Sequence, residues 1–160
     1  MKTGLLHEQR GVMLLEALIG LLIFSIGILA MIGMQAVSIR ATAAATYRSE
    51  AAYLANQIIN MMWVESRDVL SNPTNAYNLA SYQLNAPVAA GACSTGANPV
   101  PANPNVKRWL QNDVSRLPRW NQFQQQIAVD ANNVVTVRLC WLSPGEIGNA
   151  HQFIVTAQIR

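Results

Sequence analysis

The chain has 160 residues, of which 51% are hydrophobic and only 12% are charged, with a formal net charge of +3. That length accommodates one domain plus an apolar anchor, and so mild a basic excess does not point to nucleic acid. No phosphate-binding glycine loop, paired-carboxylate signature or metal-ligand spacing occurs, so neither catalysis nor a cofactor is expected.

In chain order, the first segment is a short charged leader carrying Lys2, His7, Glu8 and Arg10, followed by Gly11-Val12-Met13-Leu14-Leu15-Glu16. From Ala17 to Met34 no charged residue occurs, a run long enough to cross most of a bilayer core. Glu16 stands alone at its mouth. An ionisable side chain there costs up to about 3 kcal/mol at a membrane centre, so it marks a function or a partner. The apolar run exceeds a secretory h-region and is closed by no small-x-small cleavage site, and a transit peptide is acidic-poor and amphipathic where this segment is uniformly apolar. Basic residues flank the run on both sides, Lys2 and Arg10 before it and Arg40 and Arg48 after it, and their count does not set the topology.

The stretch Arg10-Gly11-Val12-Met13-Leu14-Leu15-Glu16, with the apolar run behind it, resembles the processing site and N-terminal helix of the type IV pilin superfamily, within its minor pilins. The resemblance is specific over residues 9–35 and holds only in layout beyond them. It implies that a prepilin peptidase cuts after Gly11 and methylates the new amino terminus on Val12, which stands where phenylalanine is commonest. Glu16 is then the fifth mature residue, whose carboxylate meets the amine of a neighbouring subunit during filament assembly. Within one helix Val12 and Glu16 also lie one turn apart on the same face. The implied protein is structural: it waits in the bacterial inner membrane with its head in the periplasm, then joins a surface pilus. Its implied partners are other major and minor pilins, the prepilin peptidase and an inner-membrane assembly platform, in support of adhesion and twitching motility. A minor pseudopilin of a type II secretion system shares this N-terminal logic. A generic single-pass anchor with a periplasmic binding domain is the reading from a different class, and it would keep its leader and tolerate Glu16→Ala.

The implied organisation is a leader at 1–11, a long helix at 12–70 with 12–35 in membrane or filament core, and a globular head at 71–160. Beyond the apolar run the helical pattern continues without proline to Pro73, and Tyr47, Ala51, Leu54, Ile58 and Met61 or Met62 form one apolar stripe. A helix over 12–70 is about 90 Å long at 1.5 Å per residue, too long for a compact domain. It is therefore expected to project, its second half packed on the head. Ala41–Ala45 suits close helix packing, while Gly27 and Gly33 each weaken the helix by up to about 1 kcal/mol relative to alanine.

Residues 71–105 carry Pro73, Pro87, Pro99, Pro101 and Pro104 among small and polar residues and read as a long surface connection. A short helix is predicted from Val106 to Leu117, capped by Asn105, with Val106, Leu110, Val114 and Leu117 inward. Lys107, Arg108, Arg116 and Arg119 form a basic cluster beside Trp109 and Trp120. This is a solvated face or, with aromatics on one surface, a nucleic-acid contact; no nucleic acid is expected.

The last third alternates as strands: Ile127 and Val129, a turn at Asp130-Ala131-Asn132-Asn133, then Val135, Val137, Leu139 and Trp141, and finally Phe153, Val155, Ala157 and Ile159. The expected fold is α+β, the long N-terminal hydrophobic helix packed on a small antiparallel sheet of about three to four strands. Trp141 reads as core, and His151 as a loop residue with no carboxylate partner. Cys93 and Cys140 fall in the portion the resemblance places outside the cytoplasm, where an even pair favours a disulfide over free thiols. Metal binding needs more ligands than these and His151 supply.

Overall fold

The computed structural model describes residues 10–71, 79–85 and 93–159. It divides into two units, Met1–Thr42 and Ala43–Arg160. Helix α1 (Arg10–Ser71) begins in the first and ends in the second. The expected connection at 72–78 and 86–92, with Pro73 and Pro87, lies outside the described residues, as do residues 1–9 with Lys2, His7 and Glu8.

In the first unit α1 carries eighteen large apolar side chains from Val12 to Ile39, between 44% and 76% exposed. A Cβ added at Gly20, Gly27 or Gly33 would meet nothing within 4 Å. In the second unit the same helix becomes amphipathic. Ala51, Leu54, Ala55, Ile58 and Met62 are fully buried and Tyr47 and Met61 pack beside them, while Arg48, Asn56 and Asn60 face water. The predicted stripe is therefore the core face, with Met62 as its inner methionine.

Against that stripe lies a three-stranded antiparallel sheet, β1 (Gln126–Val129), β2 (Val134–Trp141) and β3 (His151–Gln158), in the order β1-β2-β3. The fold of the described residues is accordingly α+β, a long apolar N-terminal helix with a three-stranded antiparallel sheet. The first turn forms where the sequence places it. The Asp130 Oδ1 accepts from the amides of Asn132 (2.8 Å) and Val134 (2.7 Å), an Asx turn, and Asn133 takes the left-handed conformation at φ 57°. Val135, Val137, Leu139 and Trp141 point into the core, as the alternation requires.

Where the sequence predicts one α-helix over Val106–Leu117 capped by Asn105, winding instead starts at Pro104. Helix α2 (Pro104–Arg108) passes into a π turn (Trp109–Asp113) and a 3₁₀ turn (Val114–Arg116). Asn103 is the cap, its side chain accepting from the amides of Asn105 and Val106. Pro104 is thus not a loop residue but the first helical residue, where its missing N–H costs nothing and its fixed φ suits the helix. Val106, Leu110, Val114 and Leu117 are all buried and form the inward face that the spacing predicts. Between Leu110 and Val106 the helix also turns Trp109 fully inward, and its Nε1 donates to the Leu54 carbonyl at 3.0 Å.

The outer face of β2 is buried as well. Cys140, Leu142 and Phe123 form a second small cluster with Cys93 and Ala150, and Cys93 and Cys140 are joined in a disulfide. Closing a loop of 47 residues restrains the unfolded chain by about 4 kcal/mol in the entropic model. Beside it, Gln125 is fully buried. Strand β1 starts one residue later, so nothing in the ladder reaches the Cys140 backbone on that side. The Gln125 side chain takes that place: its Oε1 accepts from the Cys140 amide at 2.8 Å, and its Nε2 donates to the carbonyls of Cys140 (3.0 Å), Trp120 (2.8 Å) and Phe123 (3.2 Å). Replacing Gln125 by leucine leaves those buried groups unsatisfied, so Gln125→Leu is expected to lower the unfolding free energy of the detergent-solubilised chain in urea by about 3 kcal/mol. A loss below about 0.5 kcal/mol would show that the amide is not a structural substitute for the strand.

Candidate functional site

The N-terminal residues singled out by the sequence lie in the first two turns of α1. The Gly11–Val12 bond is helical, and Glu16 follows Val12 by four residues, one turn along the same face. The Glu16 side chain is exposed, and among the described residues it makes no ion pair. Around it stand Val12, Met13, Leu14, Leu15, Leu18 and Ile19, each at least half exposed. A carboxylate set in a collar of bare apolar side chains can pair strongly with a cation once the collar is covered, because the covering medium lowers the local dielectric. A continuous window of α1 has mean hydropathy 2.6 with none of it buried within the structure, and the helix is long and apolar enough to cross a membrane. Soluble monomers rarely expose so large an apolar surface.

The basic cluster is not one open patch. Arg116 is bound to Glu50 (3.5 Å) and Asp113 (3.4 Å), and Arg108 donates to the Asn105 side chain at 3.1 Å. Lys107 and Arg119 are exposed, Arg119 in the left-handed conformation at φ 55°. The two tryptophans beside them are committed elsewhere: Trp109 is in the core and Trp120 packs half-buried against it. Among the described residues no aromatic stacking platform accompanies the cluster.

One reading of the sequence is corrected here. His151 is not a loop residue lacking a carboxylate: it is the first residue of β3, and its Nε2 lies 2.6 Å from the Glu146 Oε2. Its ring stacks on Trp141 at 5.8 Å between centroids. The loop at 142–150, with Gly145 and Gly148 at positive φ, brings Glu146 back over the strand end, a closure that spacing alone does not reveal. Trp141 itself is core, as expected, at 2% exposed. The pair is exposed and ties the loop to the strand end, with Ser143 also donating to Glu146, so its chemistry is that of a loop clasp. Among the described residues no group of three or more His, Cys, Asp or Glu could hold a metal ion.

Two further polar groups escaped sequence reasoning. Asn98 accepts from the Gln125 amide at 2.6 Å and donates to the Phe123 carbonyl at 3.0 Å, and Asn85, at φ 57°, donates to both Asn98 and the Gln125 carbonyl. They knit three stretches of connecting chain to the start of β1. Compared with known proteins, the chain matches no family model, no curated protein and no solved structure.

The hydrogen bond from His151 holds the Glu146 carboxyl below its ordinary value of 4.5. A carboxyl lowered in the folded state contributes stability above its unfolded value, and that contribution is lost as pH falls through the lowered folded value. A carbon-detected NMR titration should therefore find the Glu146 midpoint below 4.5, returning toward it in His151→Phe, which keeps a ring on Trp141 but removes the donor. An unshifted midpoint in the parent chain would mean that the clasp is open in solution.

Proposed function

We propose that the chain is a minor pilin: a structural subunit that is anchored in a membrane by the apolar part of α1, is cut after Gly11 and methylated on Val12, and enters a type IV pilus as part of its priming or tip complex. The observation that carries this reading is the arrangement of α1, in which one carboxylate, Glu16, sits one turn beyond Val12 at the head of an apolar helix that the described residues leave bare. Water is the wrong solvent for that surface. A bilayer suits it before assembly, and the apolar helices of other subunits suit it afterwards.

Cutting after Gly11 creates a cationic amine on Val12 where the collar around Glu16 begins. In a filament core that amine and the Glu16 carboxylate of an adjacent subunit neutralise one another, which removes the cost of two lone charges in a dry site. The pairing also sets the axial register between subunits, because a pair of opposite charges tolerates little sliding in an apolar core. The second unit then stands as the head, a small sheet packed on its own helical stripe and pinned by Cys93–Cys140, a bond suited to an oxidising compartment. Lys107 and Arg119 remain solvated on this reading, and the partners are other major and minor pilins, the prepilin peptidase and the assembly platform in the membrane.

Breaking a charge pair in a dry core costs about 3 to 5 kcal/mol, so Glu16→Ala should leave the chain processed and membrane-bound while its recovery in sheared filaments falls at least about tenfold. Recovery equal to that of the parent chain would remove Glu16 from assembly.

A further inference from the structure

The sheet has two edges, and they are treated differently. At β1, Leu84 exchanges both backbone hydrogen bonds with Ile127 at 3.0 Å, and Asn85 and Asn98 cover the strand's start. At β3 the register with β2 is continuous from Val134↔Gln158 to Trp141↔His151, with no bulge. One pair beyond that ladder the Ile159 amide donates to the Asn133 carbonyl at 3.0 Å. Antiparallel pairing alternates, so the amides and carbonyls of Phe153, Val155 and Ala157 face β2, and those of Ile154, Thr156 and Gln158 point out of the sheet. These three residues are exposed, Ile154 at 43%.

Soluble proteins blunt such an edge with a charge, a proline, a bulge or a very short strand. Strand β3 uses none of these: it has eight residues, no Asp, Glu, Lys, Arg or Pro, and β-branched side chains at Ile154, Val155 and Thr156. The hydrophobic layer is also unfinished there. Phe153, Val155 and Ala157 belong to the core but are only partly buried, at the rim where a fourth strand would cover them.

We infer that the outer edge of β3 accepts an extended segment of a different protein chain, uncharged and apolar at alternate residues, which adds a strand through the backbone groups of Ile154, Thr156 and Gln158. The alternation follows from the rim: one set of side chains covers Phe153 and Val155, while the other lies beside Ile154 and Thr156. The absence of charge follows from β3, which offers none to pair. A second copy is not the occupant. Two β3 strands paired antiparallel are related by a two-fold axis normal to the sheet, which reverses the Ala51–Met62 stripe of one copy against the other, so the ends of the two heads at which the membrane anchors enter point in opposite directions. That last step rests on the anchored reading of α1; the edge itself does not.

The test is amide hydrogen exchange on the full chain in detergent micelles. The probe is a capped peptide alternating valine and threonine over about seven residues, a typical strand length, with a lysine tail for solubility. Exchange at Ile154, Thr156 and Gln158 should slow by at least about tenfold with the peptide, with no change in a version bearing glutamates at the valine positions. Thr156→Pro removes an outward N–H without touching the inner ladder and is tolerated on an edge strand, so it should abolish the protection, as should Ile154→Lys. Unchanged exchange with the neutral peptide overturns the inference, as does equal protection by the glutamate peptide. Protection that grows with chain concentration in the absence of peptide also overturns it, in favour of self-pairing. None of these readouts depends on leader cleavage or filament entry, so failure here leaves the pilin reading standing.

Discussion

One buried stripe organises the second unit, and one contact fixes its geometry. Ala51, Leu54, Ile58 and Met62 present a continuous apolar face of α1, and Trp109 is inserted against it with its Nε1 on the Leu54 carbonyl. An indole is bulky and carries a single donor, so burying it demands both space and an acceptor. The helical stretch from Pro104 to Arg116 must hold its register to supply both. The sheet meets the same stripe with the inner residues of β2, and β2 in turn carries β1 and β3. Arg116 on Glu50, a partly exposed ion pair, and Gln57 on Asp113, a half-buried hydrogen bond, tie the rim of this packing with weak contacts that orient more than they stabilise.

The far face of β2 shows how a small sheet is finished when it has one helical layer. The Cys93–Cys140 bond draws a connecting segment over Cys140 and Leu142, Phe123 fills the space, and Gln125 substitutes for the strand that stops short. Asn85 and Asn98 then satisfy the backbone groups of the irregular chain. The result is a polar seam along the β1 side of the sheet and a disulfide on the face of β2, while among the described residues no segment pairs with the outer edge of β3. That asymmetry is a property of the fold, and it is what distinguishes β3 as a surface for contact.

Much of this was legible beforehand, for physical reasons that differ by element. The 3.6-residue spacing of Ala51, Leu54, Ile58 and Met62 and the two-residue alternation of Val135, Val137, Leu139 and Trp141 are direct imprints of one buried face, and Asp130 to Asn133 is turn chemistry with its own mechanism. The Asn103 cap is hidden in the sequence because Pro104 reads with the other prolines of the connection, although a proline after an asparagine is also how a helix starts. Gln125 and the Glu146–His151 clasp left no signal, because each depends on where a loop returns in space. The residues of α1 proposed to act in processing and assembly are of another kind. Glu16 stands out in the sequence as a lone charge at the mouth of an apolar run and Gly11 and Val12 by the pilin resemblance, and the structure adds that the apolar side chains from Val12 onward are bare and that Glu16 is exposed among them.

The central claim is that the apolar part of α1 is a processed assembly element and not a permanent, uncut anchor. The intact mass of the membrane-extracted chain, from cells with and without an active prepilin peptidase, addresses it directly. The account predicts that residues 1–11 are lost and one methyl group is gained only when the peptidase is present. A chain of full, unmodified mass in both would contradict it and leave Glu16 as a surface carboxylate on an ordinary membrane span.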